Sequence, residues 1–197
     1  MRLARSRAPR VVLVLFAAVV FGAADQWIGG RYSPLLTAVS GMSAPWLLLP
    51  FLVGASQRGR REAAVLGLSA SWLAVGAYVL MIISPMEGAR FTGSAVAATT
   101  ASQWMWFTGG LLSGPVYGVL GYYWRARGSW AAALLATLPL VLEPAARWLA
   151  DHFGVLSWSS FAPAVYAEVT AGVALSVAVG VALLRAADGA RSDSAMP

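Results

Sequence analysis

Apolar stretches long enough to cross a bilayer recur along this chain, divided by short polar connections. A membrane-spanning helix needs about 20 predominantly apolar residues, and residues 11–28, 63–84, 103–124, 130–149 and 160–184 each supply such a run. A further run, 34–56, is interrupted by Gly41-Met42-Ser43-Ala44-Pro45. Ser43 can cap a new helix there, with Pro45 in its first turn. This span is therefore expected as a short lead-in followed by a helix from about Pro45 to Gln57. Pro85 closes the third span, and the small-residue stretch 86–102 is expected to be a loop. The pattern predicts an all-α protein, a polytopic six-helix transmembrane bundle over 11–184. A basic terminus, 1–10, precedes it, and a polar, disordered tail, 185–197, follows.

The charges give this pattern a direction. All 14 basic residues are arginine. Eleven of them gather at Arg2/Arg5/Arg7/Arg10, Arg58/Arg60/Arg61, Arg125/Arg127 and Arg185/Arg191, that is, at alternate connections, and only Arg31, Arg90 and Arg147 lie in or beside the others. Short cytoplasmic loops retain an excess of Lys/Arg, so both termini are expected inside (N-in/C-in) at a plasma membrane. Composition agrees: 59% of residues are hydrophobic and 11% charged, and the mean hydropathy is +0.69. A soluble domain is roughly half apolar and a quarter charged, so this chain has too few charges for a water-facing surface. The net charge of +6 is explained by topology and anionic lipid headgroups, which makes the bilayer the expected partner and nucleic acid an unexpected one. With no cysteine there are no disulfides or thiolate metal sites, and no cofactor is expected. Gly22-Ala23-Ala24 before Asp25 also satisfies a small-x-small cleavage pattern. Cleavage there would leave five spans, whereas retention as the first span accounts for the orientation.

Ionisable residues inside a bilayer are costly and usually face a protein interior or a water-filled cavity. Here they fall in the outer half of the spans: Asp25 in the first, Glu143 and Arg147 in the fifth, Glu168 in the sixth, with Gln103 opening the fourth. Glu143 and Arg147 are spaced i,i+4 and can share a helix face, either as a self-satisfying ion pair or as half of a ligand site. Pro139 and Pro144 remove backbone donors beside them, and a doubly broken helix end is compatible with a cavity. Glu168 lies on a stripe of small residues, Ala164, Gly172, Ser176 and Gly180, which turns it toward a neighbouring helix. Arg147 is its candidate partner. Asp25 can serve merely as a helix-end cap. Trp27, Trp46, Trp104, Trp106, Trp148 and Trp158 share the same half, as an interfacial belt would require. Trp104-Met105-Trp106-Phe107 is denser than an anchor needs, so some of these rings can line a pocket for a flat or apolar ligand. The candidate ligand-binding set is thus Glu143, Arg147, Glu168, Asp25, Gln103 and Trp104.

The fourth span carries Gly110, Gly114 and Gly118, a tandem GxxxG on which another helix backbone can lie almost in contact. Together with Gly172 and Gly180 these are the candidate packing glycines. They serve either the bundle itself or a separate membrane subunit. Ser113-Gly114-Pro115-Val116-Tyr117-Gly118-Val119-Leu120-Gly121 resembles the glycine-proline segment of the substrate-binding (S) components of energy-coupling-factor vitamin transporters. That likeness implies six spans, capture of a small solute from the outer face and an energising membrane partner. Family members commonly continue to an acid where this chain has Tyr122-Tyr123-Trp124. Over most of its length the chain resembles an uncharacterised actinobacterial family of small polytopic membrane proteins, a domain of unknown function. Ala44-Pro45-Trp46-Leu47-Leu48-Leu49, Gly114-Pro115-Val116-Tyr117-Gly118 and Leu142-Glu143-Pro144 carry that likeness. The Ala/Arg bias without lysine fits a GC-rich bacterial source.

Enzymatic chemistry is not expected. Glu143-x-x-x-Arg147 resembles part of the motif of intramembrane CAAX-type proteases, but Leu142 stands where a second glutamate is needed. His152 is the one histidine, too few for a metal site or a histidine-based dyad. Gly67-Leu68-Ser69-Ala70-Ser71 lacks the second glycine of a nucleophile elbow. The expected function is capture or passage of a small solute at the outer polar and aromatic cluster. The alternative is a non-catalytic membrane scaffold docking through the glycine ladder.

Overall fold

A computed structural model describes residues 8–29 and 42–153, with further helical positions at 170, 172–174, 177, 178 and 181. Among the described residues the protein is all-α. The helices are α1 (Ala8–Gly29), α2 (Ser43–Ala55), α3 (Arg60–Ile82), α4 (Gly93–Ser102), α5 (Trp104–Arg127) and α6 (Trp130–His152), with a 3-10 turn at Pro85–Glu87. The segments Pro9–Gly29 and Arg60–Ile82 are each long and apolar enough to cross a membrane, and Ser43–Ala55 and Trp130–Pro139 are shorter apolar segments. α5 has the length, but five glycines, Pro115 and its Tyr-Tyr-Trp end dilute its apolar character. Most of the sixth expected span, including Glu168 and Gly180, lies outside the described residues. Gly172 is helical and buried.

Three local expectations are corrected. The stretch expected as a loop contains α4. Thr92 precedes this helix in extended backbone, and its Oγ1 accepts the Ala95 amide at 3.1 Å. That cap lets a run of alanine and threonine hold a helix that its modest apolarity does not advertise. Thr92→Ala is expected to cost about 1 kcal/mol locally, read as faster amide exchange at Ala95 with the rest of the protein unchanged. Second, α2 begins at Ser43 and ends at Ala55, with Met42 as its cap residue and no capping by that residue's own side chain. Third, α6 runs unbroken through Pro139 and Pro144. Each proline forfeits a backbone bond, and a helix packed in a bundle tolerates the loss. Pro115 in α5 and the fully buried Pro50 in α2 are likewise accommodated within continuous helix.

α3 and α5 form the centre. α3 packs on α1, α2, α4 and α5, while α5 also packs on α2 and α6. The interfaces are built from small residues. Ala18, Ala63, Ala70 and Ala74 are fully buried, and Gly22, Gly54, Gly67, Gly110, Gly114, Gly118 and Gly121 are buried with them. A Cβ at Gly118 would run into the Ala63 carbonyl of α3, and one at Gly121 into the Phe51 carbonyl of α2. A Cβ at Gly54 would meet the Gly118 carbonyl, and one at Gly67 the Gly114 carbonyl. The ladder of α5 is therefore occupied by two helices of the same chain, and backbones approach there because no side chain stands between them.

The large apolar side chains point the other way. Val12 and Leu13 of α1 are each 66% exposed, Val65 of α3 61% and Leu112 of α5 68%. A soluble bundle would bury these residues and expose small or charged ones. Ser71, buried in α3, has no hydrogen-bond partner for its Oγ. That oxygen lies 3.0 Å from where a Cβ of Gly114 would stand, so the absence of a side chain at Gly114 is what accommodates the hydroxyl.

Candidate functional site

The first turn of α2 gathers the polar groups of the bundle. This helix starts inside an apolar run, with no acidic residue in its first turn and no side-chain cap of its own. Its leading amides need an acceptor, and α6 supplies one. The Ser43 amide donates to both carboxylate oxygens of Glu143, at 3.0 Å to Oε1 and 3.1 Å to Oε2, and the Ser43 hydroxyl donates to Oε1 at 2.8 Å. A carboxylate at a helix N-terminus also meets the positive end of the macrodipole. Glu143 thus performs the capping expected of Ser43, and Ser43 supplies donors.

One turn on, the Trp46 side chain lies beside Asp25 of α1. Trp46 sits between two other rings, edge-on to Phe21 of α1 at 5.1 Å and to Tyr78 of α3 at 5.8 Å. Tyr78 also lies near Asp25. Three helices therefore hold one carboxylate in an aromatic setting, and a fourth brings a second carboxylate to the same turn of α2. The packing that fixes this arrangement is close: Gly22, one turn before Asp25, sits where a Cβ would strike the Ala74 carbonyl of α3.

Of the residues singled out in the sequence, the structure brings Asp25 beside Trp46 and Glu143 onto Ser43, both in the first turn of α2. The Arg147 side chain and the whole of Glu168 fall outside what the structure describes. Gln103 and Trp104 are elsewhere. Gln103 joins α4 to α5, its carbonyl accepting the Trp106 amide at 3.0 Å, and Trp104 is exposed. Among the described hydrogen bonds and ring contacts, none joins either residue to Asp25 or Glu143. Behind them, Trp72 of α3 donates to the Phe107 carbonyl at 3.2 Å and stacks edge-on against its ring at 6.0 Å.

Phe21, Ser43 and Tyr78 are site residues that sequence reasoning missed. Ser43 carried a readable signal: a helix starting within an apolar run leaves first-turn amides that need an acceptor, which another helix can supply. Phe21 and Tyr78 are apolar-run aromatics with no such signal.

The opposite end of the bundle carries the arginines. Arg60 donates to the Tyr123 hydroxyl at 3.5 Å, and the Arg127 guanidinium lies 4.9 Å from the Tyr123 ring centre. Comparison with protein-family models, curated proteins and solved structures finds no match.

Proposed function

We propose that the chain is a six-span integral membrane protein of a bacterial plasma membrane, with both termini in the cytoplasm. Its carboxylate–aromatic end captures or passes a small solute, in the manner of a transporter's substrate-binding component, without catalysis. The membrane reading is supported by the inverted distribution of side chains, small ones packed inside and large apolar ones facing out on α1, α3 and α5. In lipid, helices associate through small-residue contacts and leave their bulky side chains to the acyl chains.

The observation that carries the solute reading is the convergence of Asp25 and Glu143 on the first turn of α2. Partly buried carboxylates beside aromatic rings are suited to a solute carrying a positive charge or several hydrogen-bond donors. The alternative, a scaffold docking another subunit on Gly110, Gly114 and Gly118, would have to displace the chain's own α3 from Gly114 and Gly118.

Two measurements test this. The chain has no cysteine, so single cysteines can report sidedness in intact cells. Ser94→Cys is expected to react with a membrane-impermeant maleimide, and Ser129→Cys only after lysis. The reverse pattern would overturn the orientation. For the solute, choline, ethanolamine and spermidine serve as cationic probes, with succinate as the anionic comparison. At least one cation is expected to raise the unfolding midpoint of the purified chain by mass action. Asp25→Asn should abolish that rise while leaving the unliganded midpoint nearly unchanged. A rise that survives Asp25→Asn, or one produced by succinate alone, contradicts the proposal.

A further inference from the structure

At the arginine-bearing end, α1, the α2–α3 connection and α5 enclose a cavity of about 590 Å³. That lies within the range of roughly 300–1,000 Å³ for small-ligand sites. Among the described residues, Arg10, Arg58 and Arg125 line it, opposed by the one carboxylate of Glu62. Ser56 and Gln57 add polar groups, and Val11, Leu13 and Val14 of α1 form an apolar wall. Among the described residues, none of the three arginines makes an ion pair.

Their placement sharpens the point. A helix N-terminus carries partial positive charge and disfavours nearby cations. Arg58 nonetheless lies two residues before α3 begins. Arg125, in the last turn of α5, is the one whose position its own helix favours. Among the described residues, three guanidinium groups and the positive end of α3 face one carboxylate, which leaves the cavity short of negative charge.

We infer that this cavity binds the phosphate of an anionic headgroup, held by Arg10, Arg58 and Arg125, and that its source is membrane phospholipid. Guanidinium forks match phosphate oxygens in pairs. The apolar wall assigns the source: Leu13 lines the cavity and is also largely exposed, and Val12 and Phe16 continue that apolar surface along α1. A headgroup in the cavity can therefore keep its acyl chains on α1, which free phosphate does not need. Glu62, standing among the arginines, narrows the choice toward headgroups that also offer hydroxyl donors, such as glycerol.

This inference rests on the membrane reading for its source of ligand, and the experiment separates the two. The full chain, purified in neutral detergent, is titrated with dioctanoyl-phosphatidylglycerol, dioctanoyl-phosphatidylcholine, glycerol 3-phosphate and inorganic phosphate, following the unfolding midpoint. Phosphatidylglycerol is expected to raise the midpoint at the lowest concentration. Arg58→Gln with Arg125→Gln should raise the half-effect concentration about thirty-fold, each interfacial arginine being worth roughly a factor of five. Arg61→Gln with Arg127→Gln removes the same charge at the same end, outside the cavity, and should leave the response nearly unchanged. Equal effects of the two double variants would mean bulk surface charge and overturn the site. Equal effects of phosphatidylcholine would overturn recognition of the anion, and equal effects of inorganic phosphate would overturn the lipid source. A chain that stays in the membrane fraction yet ignores phosphatidylglycerol sinks this inference alone, while a chain recovered in the soluble fraction sinks the membrane reading.

Discussion

Gly118→Ala and Gly121→Ala are each expected to destabilise the protein by about 3 kcal/mol, the upper end of what overpacking costs. The reason is what the new methyl group meets. At Gly118 it meets the Ala63 carbonyl of α3, and at Gly121 the Phe51 carbonyl of α2. A flexible side chain could rotate away from a methyl group, whereas a backbone carbonyl fixed in its own helix can yield only if the helices part. Gly118 is gripped from both sides, because its own carbonyl lies where a Cβ of Gly54 would stand. Separating α5 from α2 and α3 would open the centre of the bundle, and a total stability of roughly 5–15 kcal/mol leaves little margin for that. Gly109→Ala is the control one position away from the ladder. Nothing lies within 4 Å of its added Cβ, so the higher helix propensity of alanine should leave it neutral or more stable by up to about 1 kcal/mol. Unfolding midpoints of the three purified variants decide the matter. Equal losses at Gly109 and Gly118 would show that the ladder does not pack as described.

That contrast also separates what the sequence could say about the ladder from what it could not. A tandem GxxxG announces a close helix contact, and its period fixes which glycines share a face. Which helix fills the face is decided by tertiary arrangement, so the same pattern suited a neighbouring span or a second protein. Helices whose signal is a long apolar run were legible to within a few residues. Residues 63–84 became Arg60–Ile82 and residues 130–149 became Trp130–His152. α4 was invisible because alanine, threonine and serine carry no strong period, and its start depends on the single hydroxyl of Thr92.

The candidate site was half legible. Charges in apolar runs are conspicuous, which is why Asp25 and Glu143 stood out, and both lie at the first turn of α2. Their partners did not stand out. The i,i+4 rule sees only neighbours on the same helix, so it could not reveal the Ser43 donors of Glu143, which lie 100 positions away. Aromatic density drew attention to Trp104, which is exposed. The ring that lies beside a carboxylate is Trp46, a single tryptophan in an apolar helix with nothing in its local sequence to distinguish it from an interfacial anchor.

Glu143→Ala is expected to be the most damaging polar substitution, at about 2–3 kcal/mol, because it leaves the Ser43 amide without its acceptor at a helix start in apolar surroundings. Hydrogen bonds to a charged group contribute about 1.5–3 kcal/mol each. Three donor–acceptor contacts converge here on one carboxylate, two of them from a single amide, so the sum is smaller than the count suggests. The site is only partly buried, and water can recover some of what the protein loses. Glu143→Gln separates charge from shape. It keeps one oxygen for the Ser43 hydroxyl or amide and removes the interaction with the helix dipole, which is worth about 0.3–1 kcal/mol near a surface and up to about 2 in a partly buried setting. A loss of about 1 kcal/mol is expected. Ser43→Ala removes the 2.8 Å hydroxyl bond and keeps the amide, for a further loss of about 1 kcal/mol. Combined with Glu143→Ala it should cost little beyond Glu143→Ala alone, since the hydroxyl then has no carboxylate to serve. Additive losses in that double-mutant cycle, measured as unfolding free energies in one detergent, would show that the two residues act independently and that α6 does not cap α2.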